Sequence, residues 1–301
     1  MTNIMTERRE IVMKKSHNSE CKQDLTGPFA TILRGSYDIR DTSVMLILFL
    51  FICRICSPAA AGDFTDISDY QQWTVNVGYP QGLLVPVGMD GINQDHFHSL
   101  PGSAGYSSGK IVIGDSRCCQ LGIYQNRMGF DEYAVFAVWG GHYISGTGTS
   151  ILTDEYLSEI EQCFQEQIRT SGECTVFFFA TVNDYDYMYN TNAAYISTAV
   201  TSAERIASMT YTWQGIEYWP DVIMIGFEGG DQNYFSFNAY VYPYNVGLSM
   251  AVSNSAVLGR NASQFITVPD ITGRRTTFIS DGLHYSDATL RMIADYMKNF
   301  R

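Results

Sequence analysis

From Lys110 onward, short apolar runs alternate with stretches of helical periodicity, and that alternation limits the fold more than any other feature of the chain. Buried strands each followed by a helix are the pattern of βαβ units in a mostly parallel sheet. The first run ends in Ile111-Val112-Ile113-Gly114, and the second covers residues 133–139 and stops at Gly140-Gly141. The third, residues 174–182, is too apolar for an exposed face and belongs at the centre of the sheet. Helices are expected over 118–127, over a stretch capped by Thr153 and striped by Tyr156, Leu157, Ile160, Phe164 and Ile168, and over 193–209, 246–258 and 287–299. Residues 264–268 read as a further strand, while 221–227 and 237–242 compete to be the fourth strand of the sheet.

Ahead of this domain, residues 108–301, the pattern is different. Residues 62–107 are rich in Gly, Pro, Asp and aromatic side chains, which predicts an irregular or short-stranded segment packed on the main domain. Residues 44–53 are the only long uninterrupted apolar run, preceded by Arg34 and Arg40 and followed by Ala59-Ala60-Ala61. A bilayer-spanning helix needs about 20 such residues. The run therefore reads as the core of a secretory leader over residues 1–61, cleaved near Ala61-Gly62, with translation starting at Met1, Met13 or Met45. A secreted or cell-surface location without a stable membrane span follows from that reading, an uncleaved anchor being the alternative.

The remaining residues 62–301 hold 11 Lys and Arg against 25 Asp and Glu, and only two lysines, Lys110 and Lys298. So acidic a surface repels phosphate backbones and excludes nucleic acid as a partner. Four cysteines stay after leader removal: Cys118, Cys119, Cys163 and Cys174. Export permits disulfides, and Cys163 with Cys174 could close a short loop between a helix and the next strand. These four cysteines form no CxxC pair and no histidine cluster indicates a metal, and the alternating His96-Phe97-His98 reads as an exposed strand or loop.

Gly114-Asp115-Ser116 stands where the first apolar run gives way to a helix. A serine at such a turn presents its hydroxyl at the C-terminal edge of the sheet, beside backbone N–H groups able to hold an oxyanion. The hydroxyl needs a base, and the base needs an acceptor on its other ring nitrogen. Asp281-Gly282-Leu283-His284 offers both, because a carboxylate three residues before an imidazole can fold back onto Nδ1 and leave Nε2 to the serine. Gly-Asp-Ser alone arises by chance in roughly one chain in ten of this length; the two motifs together point to a serine hydrolase acting on esters. Ser116, Gly140-Gly141, Asn183 and the 281–284 loop are all expected beyond the carboxyl ends of the strands, where open α/β sheets bind ligands.

These blocks resemble the SGNH (GDSL-type) hydrolase family, in its bacterial secreted or surface-attached branch, from Lys110 to Arg301. The resemblance implies a three-layer α/β/α sandwich of flavodoxin-like type with a mostly parallel central sheet, and a cofactor-free esterase. Ser116 would be the nucleophile and give one oxyanion N–H. Gly140 or Gly141 would give a second, and Asn183 its side-chain amide. His284 would be the base, oriented by Asp281.

Four features depart from the pattern or add to it. Thr181 stands where the family has glycine, and Arg117 replaces the common leucine after the serine, where it could bind a substrate carboxylate or pair within the protein. His142 is a further candidate acid, base or substrate contact. Tyr185, Tyr187 and Tyr189 are candidates for a cleft wall stacking on sugar rings, or for one face of a strand, and a small-molecule, carbohydrate or cell-envelope ester is the expected substrate. Acyl transfer to a sugar, and a surface protein that keeps the fold without activity, are the rival readings. A cysteine nucleophile at Cys118 or Cys119 is disfavoured by their position inside a helix.

Overall fold

The computed structural model describes residues 63–70, 83–84, 96–99, 108–129, 132–143, 150–226, 228–258 and 264–300. The chain divides into two units, Met1–Ser57 and Pro58–Arg301, and every described residue belongs to the second. The expected leader and its cleavage point therefore lie outside the described residues. Among those residues, no helix is long and apolar enough to cross a membrane.

The strands are β1 (Leu83–Leu84), β2 (His96–Ser99), β3 (Lys110–Gly114), β4 (Ala134–Val138), β5 (Thr175–Phe179), β6 (Tyr211–Trp213), β7 (Ile216–Tyr218), β8 (Asp221–Gly226) and β9 (Gln264–Thr267). The helices are α1 (Ser116–Arg127), α2 (Asp154–Ser171), α3 (Tyr185–Ala207), α4 (Phe235–Asn254), α5 (Val268–Thr272) and α6 (Asp287–Asn299). Seven strands form one sheet in the order β1-β2-β4-β3-β5-β8-β9, and β6 pairs with β7 in a separate hairpin. The run β4-β3-β5-β8-β9 is parallel throughout, whereas β2 and β1 extend the β4 edge antiparallel. This is the α/β fold with a mostly parallel central sheet that the sequence predicts.

Alternate residues of each strand enter opposite layers, as the period of two requires. Ile113, Phe136, Phe178 and Met224 pack with Tyr156, Phe164, Tyr195 and Leu248 of α2, α3 and α4. Val112, Val135, Phe177 and Ile225 pack with Leu121 of α1 and with Leu290, Ile293 and Met297 of α6. Helices thus cover both faces. Each fully buried Ile or Phe contributes about 1.5–3 kcal/mol, which explains why these strands tolerate so few polar residues.

The register sets up the edge that matters. Gly114 pairs with Ala137 of β4, and Ile113 with Phe178 of β5, so β3, β4 and β5 end nearly level. The chain winds out from β3 to β4 and then crosses back to β5, which makes the C-terminal end of β3 a topological switch point. Asp115-Ser116, residues 139–141 and residues 180–184 all leave the sheet there.

Several expectations are corrected. Residues 237–242 are helical, within the first two turns of α4, and β8 alone is the fourth parallel strand; the helix expected over 246–258 is the second half of α4 and ends at Asn254. α3 starts at Tyr185, eight residues before the expected 193. All four cysteines are buried free thiols, so Cys163 and Cys174 are not bridged. His96-Phe97-His98, in contrast, lies in a strand, β2, one of the two forms the sequence suggests.

Asp287, at the first position of α6, ties α6 to α1 and to the 63–70 segment. Its carboxylate accepts from Arg127 on both oxygens at 3.0 Å, from the Tyr70 hydroxyl at 2.9 Å and from the Phe64 amide at 3.3 Å. The Arg127 guanidinium also lies 3.4 Å over the Phe64 ring. Removing one member of a buried pair strands the other, at a cost of about 3–5 kcal/mol. Asp287→Ala is expected to lower unfolding stability by that amount in urea titration, and Asp287→Asn by less.

Candidate active site

Asp115 organises the end of β3. As N-cap of α1, its Oδ1 accepts from the Arg117 amide at 3.0 Å, which frees the first turn of the helix to begin at Ser116. Its Oδ2 accepts from the Val182 amide at 3.0 Å and from the Thr181 hydroxyl at 2.9 Å, so the same carboxylate also holds the segment beyond β5. Gly114 makes room for this arrangement: a Cβ there would sit 2.4 Å from Cys118 Sγ and 3.0 Å from Phe179 Cβ.

Ser116 is almost buried, at 6% exposure, and its Oγ lies 2.8 Å from His284 Nε2. His284 Nδ1 is 2.6 Å from Asp281 Oδ2, and Asp281 Oδ1 accepts the amides of Leu283 at 2.8 Å and His284 at 2.9 Å. With Nδ1–H committed to the carboxylate, Nε2 is left to accept the serine proton, a geometry suited to general-base transfer. The loop can close so tightly because Gly282 adopts φ 69°, and a Cβ there would meet Asp231 Cγ at 2.5 Å. The Asp231 amide donates to Gly282 O at 2.7 Å, and the Tyr234 hydroxyl to Asp281 O at 3.1 Å. Trp139 flanks the histidine, with ring centroids 6.2 Å apart.

Potential oxyanion donors surround this line. The Gly141 amide closes a turn onto Val138 O at 3.0 Å and is therefore spent. Gly140, at φ 64° in that turn, and Ser116, at the first position of α1, keep amides with no acceptor among the described residues. Asn183 gives one amide hydrogen to Gly141 O at 3.1 Å and retains the other. Of the two glycines, Gly140 is the one with a donor to offer.

Thr181, fully buried, fills the glycine place with a working hydroxyl. Its Oγ1 lies 2.9 Å from Asp115 Oδ2 and 3.0 Å from Gly141 O, and accepts the Asn183 amide at 3.1 Å. It thereby links the segments beyond β3, β4 and β5. Sequence reasoning marked this position only as a departure.

Arg117 is not a substrate contact. It is 3% exposed, and its five N–H groups make five hydrogen bonds: two to Leu283 O at 2.7 and 3.1 Å, one each to Glu228 O at 2.7 Å, Gly229 O at 2.8 Å and the Tyr285 hydroxyl at 3.1 Å. Nothing remains for a ligand carboxylate. It pins the His284 loop and the 228–229 segment to the helix that carries Ser116. His142 is half-buried and bonded through Nδ1 to Asp184. Tyr185 opens α3 rather than a strand. Cys118 and Cys119 are wholly buried, and burial pushes the Cys118 thiol well above its ordinary range, which removes it as a nucleophile.

The Asp281 carboxyl titrates at about 2, below its ordinary 3.8: burial raises it, but the hydrogen bonds from the His284 ring and from the His284 and Leu283 amides outweigh that effect. A depressed carboxyl stabilises the fold above its unfolded value of 3.8, and the contribution disappears as pH falls toward about 2. Asp281→Asn is therefore expected to lose less stability than the parent between about pH 4 and pH 2. Thermal unfolding of both proteins across that interval checks the sign.

No family model and no curated protein matches the chain. Among solved structures, the native aryl esterase of M. smegmatis matches at 12% identity over 63% of this chain and 95% of that one, with a TM-score of 0.41. The family 3 carbohydrate esterase of Clostridium thermocellum matches at 18% identity over 62% and 94%, with a TM-score of 0.32. Likenesses this weak carry no argument about activity, so the functional reading stands on the geometry of the site.

Proposed function

We propose that the chain is a serine esterase of SGNH type. One observation carries the reading: Ser116 Oγ, the His284 imidazole and the Asp281 carboxylate form a continuous relay of 2.8 and 2.6 Å, between groups from two motifs 168 and 3 residues apart. Structural hydrogen bonding alone gives no reason to leave a serine hydroxyl on the free nitrogen of a carboxylate-bound histidine at a switch point.

In the proposed cycle His284 Nε2 takes the Ser116 proton as Oγ attacks the ester carbonyl carbon. The carbonyl oxygen becomes an oxyanion, held by the Ser116 and Gly140 amides and the second hydrogen of the Asn183 amide. His284 then passes its proton to the departing alkoxide, the alcohol leaves, and water activated by the same nitrogen hydrolyses the acyl-enzyme. Asp281 stabilises the transient imidazolium and keeps its tautomer. Export through the 1–61 leader and a lysine-poor, acidic surface favour a neutral carbohydrate or cell-envelope ester over an anionic one, and Trp139 beside His284 offers an aromatic face to it.

Ser116→Ala is expected to abolish hydrolysis of p-nitrophenyl acetate and fluorophosphonate labelling while leaving the unfolding midpoint in place. Retention of the parental rate would refute the assignment. Asn183→Ala is expected to lower kcat by about 10²–10³, the usual effect of losing one oxyanion donor.

A further inference from the structure

Beyond the Ser116–His284–Asp281 line, a second Asp–His pair stands on the segments that carry the oxyanion donors. Asp184 is fully buried; its Oδ1 lies 3.0 Å from His142 Nδ1 and its Oδ2 accepts the Tyr143 amide at 3.1 Å. Asp184 occupies the N-cap position of α3 yet makes no capping bond. An Asp at an N-cap ordinarily accepts a backbone N–H of the helix, worth about 1 kcal/mol. Here the carboxylate is turned away from its own helix toward residues 142–143, and a carboxylate withdrawn completely from water is expensive unless paired.

The topology explains what that pairing achieves. β4 and β5 are not neighbours, since β3 lies between them. Their ends are therefore about two strand spacings, roughly 9–10 Å, apart, and no ladder bonds can join the segments that follow them. Side chains must close the arch over the end of β3, where Ser116 emerges. Polar contacts do so: Thr181 Oγ1 lies 3.0 Å from Gly141 O, its one proton shared with Asp115 Oδ2, Asn183 Nδ2 donates to Gly141 O at 3.1 Å, His142 Nδ1 meets Asp184 Oδ1 at 3.0 Å, the Tyr143 amide donates to Asp184 Oδ2 at 3.1 Å, and the Tyr143 hydroxyl donates to Phe179 O at 2.7 Å. The His142–Asp184 contact lies one residue beyond both Gly141 and Asn183, and it is the side-chain pair among them that holds the buried carboxylate.

We infer that His142 is a positioning residue for the oxyanion donors. Through its Nδ1–H it holds Asp184, and with it the neighbouring Asn183 amide and the Gly140–Gly141 turn, in the geometry that receives the developing oxyanion. The inference rests on the esterase reading and gives His142 a task other than substrate contact, because the ring nitrogen it uses faces a buried carboxylate. Nδ1 and Nε2 are separable by substitution: the Asn amide nitrogen reaches the place of Nδ1, whereas that of Gln reaches the place of Nε2.

The test is steady-state hydrolysis of p-nitrophenyl acetate by His142→Ala, His142→Asn and His142→Gln, with Ser116→Ala in parallel and unfolding midpoints for all. His142→Ala is expected to lower kcat by roughly 10–100-fold, the scale of a small misplacement of reacting groups, with little change in KM. His142→Asn should recover most of that loss and His142→Gln should not. Parental kcat in His142→Ala beside an inactive Ser116→Ala would overturn this inference alone. Equal loss in the Asn and Gln variants would overturn it too, by showing that the imidazole itself or Nε2 is needed, and this comparison holds even if His142→Ala fails to fold. Full activity of Ser116→Ala would overturn the esterase reading and this inference together.

Discussion

The carboxylate of Asp115 is the interaction on which the rest of the site depends. A strand that turns directly into a helix leaves the helix's first amides unsatisfied, and one oxygen of Asp115 meets that need. The other oxygen takes the Val182 amide and the Thr181 hydroxyl, so the start of α1 and the exit from β5 are fixed by a single buried group, 1% exposed. A neutral cap such as serine could satisfy the helix but could not also accept two further donors from across the sheet. The neighbour of Ser116 is thus acidic for a structural reason, whatever chemistry the serine performs.

How much of this was legible in the sequence varied with the range of the interaction. β3, β4 and β5 were readable because each is buried on both faces and carries almost no polar residue. The 281–284 loop was readable because Asp281 and His284 make a local contact, three residues apart. Residues 237–242 were ambiguous because α4 carries apolar side chains on its outer face too: Phe235, Tyr242 and Met250 are 80%, 76% and 62% exposed, which erases the helical period. The β6–β7 hairpin was missed because its turn residues are Gln214 and Gly215, at φ 51° and 81°. Both positions of such a turn ask for a left-handed backbone, and Gln at the first gives none of the usual Asn-Gly signal.

Long-range roles stayed hidden. Arg117 looked available to substrate because its acceptors, the carbonyls of Glu228, Gly229 and Leu283, lie 111, 112 and 166 positions away and are backbone groups that no motif records. Thr181 looked like damage to a glycine block. A glycine could pass the backbone through the same place but would leave Asp115 Oδ2, Gly141 O and the Asn183 amide without the hydroxyl that joins them.

The two halves of the site are held by different means, and the difference follows from the sheet. Ser116 and the proposed oxyanion donors leave adjacent strand ends, so short polar links over β3 suffice to align them. His284, the proposed base, comes from a loop between α5 and α6, with no strand of its own in the parallel sheet beneath it. It is brought into register by Arg117, which grips Leu283 O from the residue next to Ser116, and by the close approach of Gly282 to Asp231. Since Arg117 and Ser116 share the first turn of α1, any shift of that helix carries the serine and the anchor of its base together. The 2.8 Å contact between Ser116 and His284 thus rests on one helix end, whereas the Gly140 and Asn183 donors stand on the segments beyond β4 and β5, and it is Asp115, through Thr181 and the Val182 amide, that ties those segments to α1.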